Sequence, residues 1–119
     1  MKDGFIKAAA GTIDVVVADV QYNTEQILAR MREADAAGVN LLTLPELCLT
    51  GYTCGDLLLH GSLLDAADEA LEELVRTTRK LPLTLIAGIP LRHGSTLYNC
   101  AAVFTQGRVL GVVPKSYIP

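Results

Sequence analysis

Apolar residues alternate between continuous runs and helix-spaced stripes, and the alternation predicts the order of elements. Phe5 to Ala10 reads as a short first strand, and 11–22 as a connector holding the apolar run Val15-Val16-Val17. The period then changes. Ile27, Leu28, Met31 and Ala34 recur at helical spacing. Asn23, with Gln26 three residues later, supplies a capping-box-like start, and Gly38 falls at the expected C′ position. Val39 to Leu44 is an unbroken apolar run stopped by Pro45, as suits a strand covered on both faces. A loop bracketed by Gly51 and Gly61 leads to a second helix, with Ser62 as its predicted cap. Leu63, Leu64, Ala67, Ala70, Leu71, Leu74 and Val75 form its apolar face. Asp65, Asp68, Glu69, Glu72 and Glu73 form its wet face and favour the positive N-terminal end. Leu83 to Ile89 is a third strand and Arg92-His93-Gly94-Ser95 a turn. Leu97 to Thr105 and Arg108 to Val113 form a hairpin around Gln106-Gly107.

The resulting order is strand, helix, strand, helix, then three strands. It predicts an α/β layer whose sheet turns antiparallel at its later end. No internal repeat, linker or low-complexity stretch interrupts it.

Composition adds one constraint. Half of the 119 residues are hydrophobic and the mean hydropathy is +0.35, rich for a small domain, which exposes a large share of its surface. Either the chain is a segment of a larger buried core or an oligomer hides the excess. Val39, Leu41, Leu83, Leu85, Val103 and Val109 belong to the strand runs expected to need that cover. The formal net charge of −3 with no basic run argues against nucleic acid and anionic membranes as partners. No apolar run has the length of a membrane helix. The N-terminal Met1-Lys2-Asp3-Gly4 lacks the apolar region of a signal peptide, so a cytoplasmic address is expected.

Two charges stand out. Glu46, in Leu44-Pro45-Glu46-Leu47, and Lys115, in Val113-Pro114-Lys115-Ser116, each follow an apolar run ended by proline. Each therefore belongs where a strand meets the rim of a sheet, the usual place for chemistry in open α/β layers. Glu46 is either a carboxylate meeting water or, in its apolar setting, a paired or functional group, because an unpaired buried charge is costly. Lys115 is either a surface lysine after a hairpin or the partner of that acid, in a structural or a catalytic pair. Cys48, Cys54 and Cys100 are odd in number and follow no C-x-x-C spacing, so neither a disulfide framework nor a zinc site is expected. Cys48 or Cys54 is open to a nucleophile reading, but a small buried hydrophobe is the commoner fate of a free cysteine. Cys100, inside a strand run, reads as core. His60 and His93 read as surface loop residues, and no nucleotide-binding glycine motif is present.

Leu44-Pro45-Glu46-Leu47 with Thr50-Gly51-Tyr52, followed by Pro114-Lys115, resembles the nitrilase, or carbon–nitrogen hydrolase, superfamily. Tyr22-Asn23-Thr24-Glu25-Gln26-Ile27-Leu28, Gly51-Tyr52-Thr53-Cys54-Gly55-Asp56-Leu57-Leu58 and the Lys115-Ser116-Tyr117 sequence resemble its glutamine-dependent NAD synthetase branch. The resemblance covers essentially the whole chain. It implies a partial αββα sandwich, containing the first strands and two helices of one layer. Residues 1–119 would be the amino-terminal part of a longer glutamine amidohydrolase domain, truncated before its nucleophile.

The resemblance further implies a Glu-Lys-Cys site. Glu46 matches the general base, Lys115 the lysine that stabilises the tetrahedral intermediate, and Tyr52 a residue lining the glutamine pocket. The nucleophilic cysteine of the family lies downstream of the lysine motif, past Pro119, and none of the three cysteines here occupies that position. No cofactor is implied for these residues, whereas the synthetase domain of the branch would use ATP and magnesium. Glutamine is the implied substrate of the parent enzyme, a homo-oligomer is expected, and the 119 residues alone are expected to be inactive. The alternatives are another amidase or nitrilase of the superfamily, and a non-catalytic scaffold.

Overall fold

The computed structural model describes residues 4–45, 48–50, 61–94 and 96–115. They form strand β1 (Ala8–Ala10), helix α1 (Val20–Ala36), β2 (Leu41–Thr43), α2 (Gly61–Thr77), a single 3-10 turn (Thr78–Lys80), β3 (Thr84–His93), β4 (Thr96–Thr105) and β5 (Arg108–Pro114). The sheet runs β1-β2-β3-β4-β5, parallel from β1 to β3 and antiparallel from β3 to β5, as the element order predicts.

The helix boundaries shift from their expected places. Helix α1 begins at Val20, capped by the Asp19 carboxylate, which accepts from the Tyr22 amide at 3.0 Å. Asn23 lies inside the helix and is buried. At the other end the expectation holds. Gly38 adopts φ +76, its amide donates to Asp35 O (3.1 Å), and that of Val39 donates to Ala34 O (2.9 Å), closing a Schellman motif. Lys7 Nζ donates to the carbonyl of Ala37, placing a cation at the negative helix end. Helix α2 begins at Gly61, so Ser62 is its second residue and no acidic residue falls in its first turn. Its acidic residues line the solvent face further along. There, partial burial and the neighbouring charges of Asp65 and Glu72 push the Asp68 carboxyl above its usual range. The hairpin turn is as expected, with Gln106 (φ +50) and Gly107 (φ +80) both left-handed. Strand β3 continues through Arg92 and His93, residues read from the sequence as a turn, because they pair in register with Leu97 and Thr96.

One face of the sheet carries the core. Leu42, Leu85, Ala87, Ile89, Ala102 and Phe104 are buried with Ile27, Met31, Ala67 and Leu74 of the two helices. Alternation along each strand sends the next residues to the opposite face, which among the described residues carries no helix. The expectation of which apolar residues lack cover is therefore corrected. Val39, Leu83 and Leu85 are buried in the core, whereas Val109, beside Leu71 and Val75 of α2, is exposed as expected. Leu41 and Val103 do belong to the helix-free face, beside Thr43, Ile86, Gly88, Ala101 and Val113.

Candidate functional site

The helix-free face holds a groove of about 430 Å³, lined by Thr43, Leu44 and Pro45 on one side and by Val113, Pro114 and Lys115 on the other. Strands β2, β3 and β5 run in the same direction, since two antiparallel steps separate β5 from β3. The carboxyl ends of β2 and β5 consequently reach the same rim. Two strands lie between them, which sets their axes about 14 Å apart in a flat sheet. The floor across that gap is low. Gly88 of β3 pairs with Ala101 of β4, which pairs with Val113 of β5, so the two central positions present no side chain and a single methyl.

Lys115 follows β5 directly. Its backbone amide donates to Asn99 O at 2.8 Å, which holds the chain in register one residue beyond the strand. The lysine is exposed and borders the groove with Asn99. Glu46 and Tyr52 lie outside the described residues, as do Cys54 and His60, so Lys115 and the residues flanking Glu46 are what the structure brings to one rim.

Those flanking residues are tied down on both sides. Before Glu46, the Leu44 amide donates to Ile86 O at 2.8 Å. After it, Cys48 Sγ donates to the carbonyl of Gly88 at 3.7 Å. The Thr50 carbonyl accepts from the amide of Ala18 at 2.8 Å, and Ala18 takes the left-handed backbone (φ +62). The buried Asn23 side chain joins the two segments. Its Nδ2 donates to Leu49 O (3.0 Å) and Val16 O (2.9 Å), and its Oδ1 accepts from the Val16 amide (2.8 Å).

Neither described cysteine suits nucleophilic chemistry. Cys48 is fully buried, and desolvation pushes its thiol up to about 11 despite the Gly88 contact. Burial likewise raises the Cys100 thiol, which belongs to the core as expected. A nucleophile needs the thiolate, which both settings disfavour. His93, expected in a surface loop, is exposed at the end of β3. Among the described residues no cluster of three or more His, Cys, Asp or Glu side chains is arranged to hold a metal, and no helix is long and apolar enough to cross a membrane.

Comparison with known proteins decides the family. The carbon-nitrogen hydrolase family model matches residues 7–118. The chain belongs to the carbon-nitrogen hydrolase family. Within it, the chain is 44% identical over 116 residues to the glutamine-dependent NAD(+) synthetase of Mycobacterium tuberculosis H37Rv, covering 98% of this chain and 17% of that protein. The crystal structure of a glutamine-dependent NAD(+) synthetase from Cytophaga hutchinsonii superposes with a TM-score of 0.90 at 32% identity, over 96% of this chain and 19% of that one. A nitrilase-superfamily amidase from Nesterenkonia shares the fold, with a TM-score of 0.84 at 24% identity over 96% of this chain and 45% of that one. The five-stranded mixed sheet with two helices is thus part of the nitrilase-like α/β fold. The chain spans about a sixth to a fifth of the length of the synthetases it matches.

Sequence reading missed Asn23 as a tertiary link and Gly88 and Ala101 as a groove floor. For Asn23 a signal was present: it stands four residues before Ile27 and eight before Met31, on the buried stripe of α1, where a polar side chain needs a partner. Nothing in an isolated strand run marks Gly88 and Ala101 as cross-strand neighbours.

Proposed function

We propose that this chain supplies two members of a glutaminase site, Glu46 as general base and Lys115 as oxyanion stabiliser, in a glutamine-dependent NAD synthetase. The observation that carries the reading is the shared groove: Pro45, immediately before Glu46, and Lys115 border one cavity with a nearly bare floor. In this reading Glu46 removes the proton of a cysteine thiol, and the thiolate attacks the side-chain amide carbon of glutamine. The Lys115 ammonium stabilises the oxyanion of the tetrahedral adduct. Collapse of the adduct, with a proton from the Glu46 carboxylic acid, expels ammonia and leaves a thioester. Glu46 then takes a proton from water, which attacks the thioester carbonyl and releases glutamate and the thiol. Tyr52 lines the glutamine pocket. The cysteine belongs to sequence after the lysine motif, and ammonia passes to an ATP- and magnesium-dependent synthetase domain of the same polypeptide.

The buried, protonated state of Cys48 and Cys100 supports the accompanying proposal that the 119 residues alone release no ammonia from glutamine. The test is ammonia release by a polypeptide of the synthetases' length that carries this chain. Glu46→Gln and Lys115→Met should each lower turnover by at least about a hundredfold. Full activity in either variant would overturn the assignment, and activity of the 119 residues that vanishes in Cys54→Ser would place the nucleophile there.

The helix-free sheet face is also the proposed contact with a second copy of the chain when these 119 residues stand alone. Apolar sheet faces left in water seek a partner. Light scattering over a dilution series should show a dimer, and a monomer at every concentration would contradict it.

A further inference from the structure

We propose that Asn23 is a positioning residue for the Glu46 segment, an inference that rests on the glutaminase reading. Its carboxamide is fully buried in a helix whose neighbouring stripe positions, Ile27 and Met31, are apolar. Its three side-chain bonds all leave that helix. They go to Val16, in the segment after β1, and to Leu49, three residues beyond Glu46. An apolar residue of similar volume would satisfy the core, whereas the carboxamide donates to two loop carbonyls and accepts from one loop amide. A buried polar group earns its place only through such bonds.

A second link runs parallel to it, from the Ala18 amide to Thr50 O, and it requires a left-handed backbone at a residue that has a Cβ. Asn23 holds Val16 on both its amide and its carbonyl, which fixes the turn that delivers the Ala18 amide. The segment containing Glu46 is thus pinned at Leu44 by the sheet and at Leu49 and Thr50 by the knot around Asn23. In this proposal those two pins, on either side of position 46, limit where its carboxylate can be placed. Catalytic groups misplaced by about 1 Å lose rate steeply.

The test compares wild type with Asn23→Leu, which keeps the number and branching of side-chain heavy atoms and removes the three bonds, and with the smaller Asn23→Ser. In the 119-residue chain, hydrogen exchange at the Val16 and Ala18 amides should accelerate at least tenfold in both variants. Amides of the β3–β4 ladder, such as Leu85 and Ala87, should be unchanged. Uniform acceleration across ladder and knot would mean that Asn23 merely stabilises the fold, and would overturn the proposal. In the longer polypeptide, Asn23→Leu should lower kcat about tenfold or more with KM nearly constant, against Glu46→Gln as the control. If Glu46→Gln abolishes ammonia release while the Asn23 variants retain wild-type kcat, the positioning role fails and the glutaminase reading stands. If Glu46→Gln is fully active, both fail.

Discussion

The two faces of the sheet are built from the same five strands and differ in how far their side chains fill them. On the helix-covered face the side chains are large and interlocking: Leu42, Leu85, Ile89 and Phe104 against Ile27, Met31 and Leu74. On the other face Leu41, Ile86 and Val103 stand beside a stretch of small or exposed residues, Thr43, Gly88, Ala101 and Val113, which leads to Asn99 and Lys115 at the rim. Filling makes the first face a source of stability. In the proposed reading, the groove on the second leaves room for a loop and a substrate. A strand with period-two alternation can serve both, because a substitution on one side leaves the other side's packing in place.

That contrast is broken most easily by truncating one residue on each face. Phe104→Ala, in the core, should destabilise by about 3–5 kcal/mol. Val113→Ala, 60% exposed on the bare face, should change stability by less than about 1 kcal/mol. Urea denaturation of the two variants measures both, and similar losses would mean that the faces are not energetically distinct.

Alkaline titration sharpens the contrast at Cys48, which touches Gly88 beneath the groove but is sealed in the core. Its thiol is raised from 9.0 to about 11, so the folded state favours the protonated form. The associated stability is fully present below pH 9 and is lost as pH rises from about 9 through about 11. A two-unit difference corresponds to at most about 3 kcal/mol. Wild type should therefore lose more stability than Cys48→Ala over that interval, and parallel curves would refute the burial.

Ala101→Leu probes the opposite case. It adds bulk to the groove floor without entering the core, so turnover in the longer polypeptide should fall about tenfold or more while stability moves by less than about 1 kcal/mol. A large loss of stability instead would show that the floor is packed. The smallest effect is expected at Ala18→Gly. Removing the Cβ at φ +62 relieves left-handed strain, and the extra freedom of unfolded glycine offsets part of the gain. A net stabilisation of about 0.5 kcal/mol should appear in the melting curve, and a clear destabilisation would contradict the strain.

The sequence announced the covered face better than the bare one. Periodicity placed both helices and the β4–β5 hairpin, because burying an apolar stripe is what makes those elements form. It misassigned Asn23 as a cap, since Asp19 offers the same capping chemistry four residues earlier and only tertiary contacts choose between them. It also places Leu83 and Leu85 among the residues in need of cover, because a continuous apolar run conceals which side of the sheet each residue takes until the register is known. The strand-end placement of Lys115 was legible from Pro114 and the run before it. The groove was not, because its floor depends on Gly88 meeting Ala101 across two strands.

The most direct test of the account is the separation of the Glu46 carboxylate and the Lys115 ammonium, determined crystallographically in a polypeptide that carries this chain. Both groups are expected over the Gly88–Ala101 floor, within about 3–5 Å of each other or joined through one water. Side chains directed to opposite ends of the sheet would contradict it.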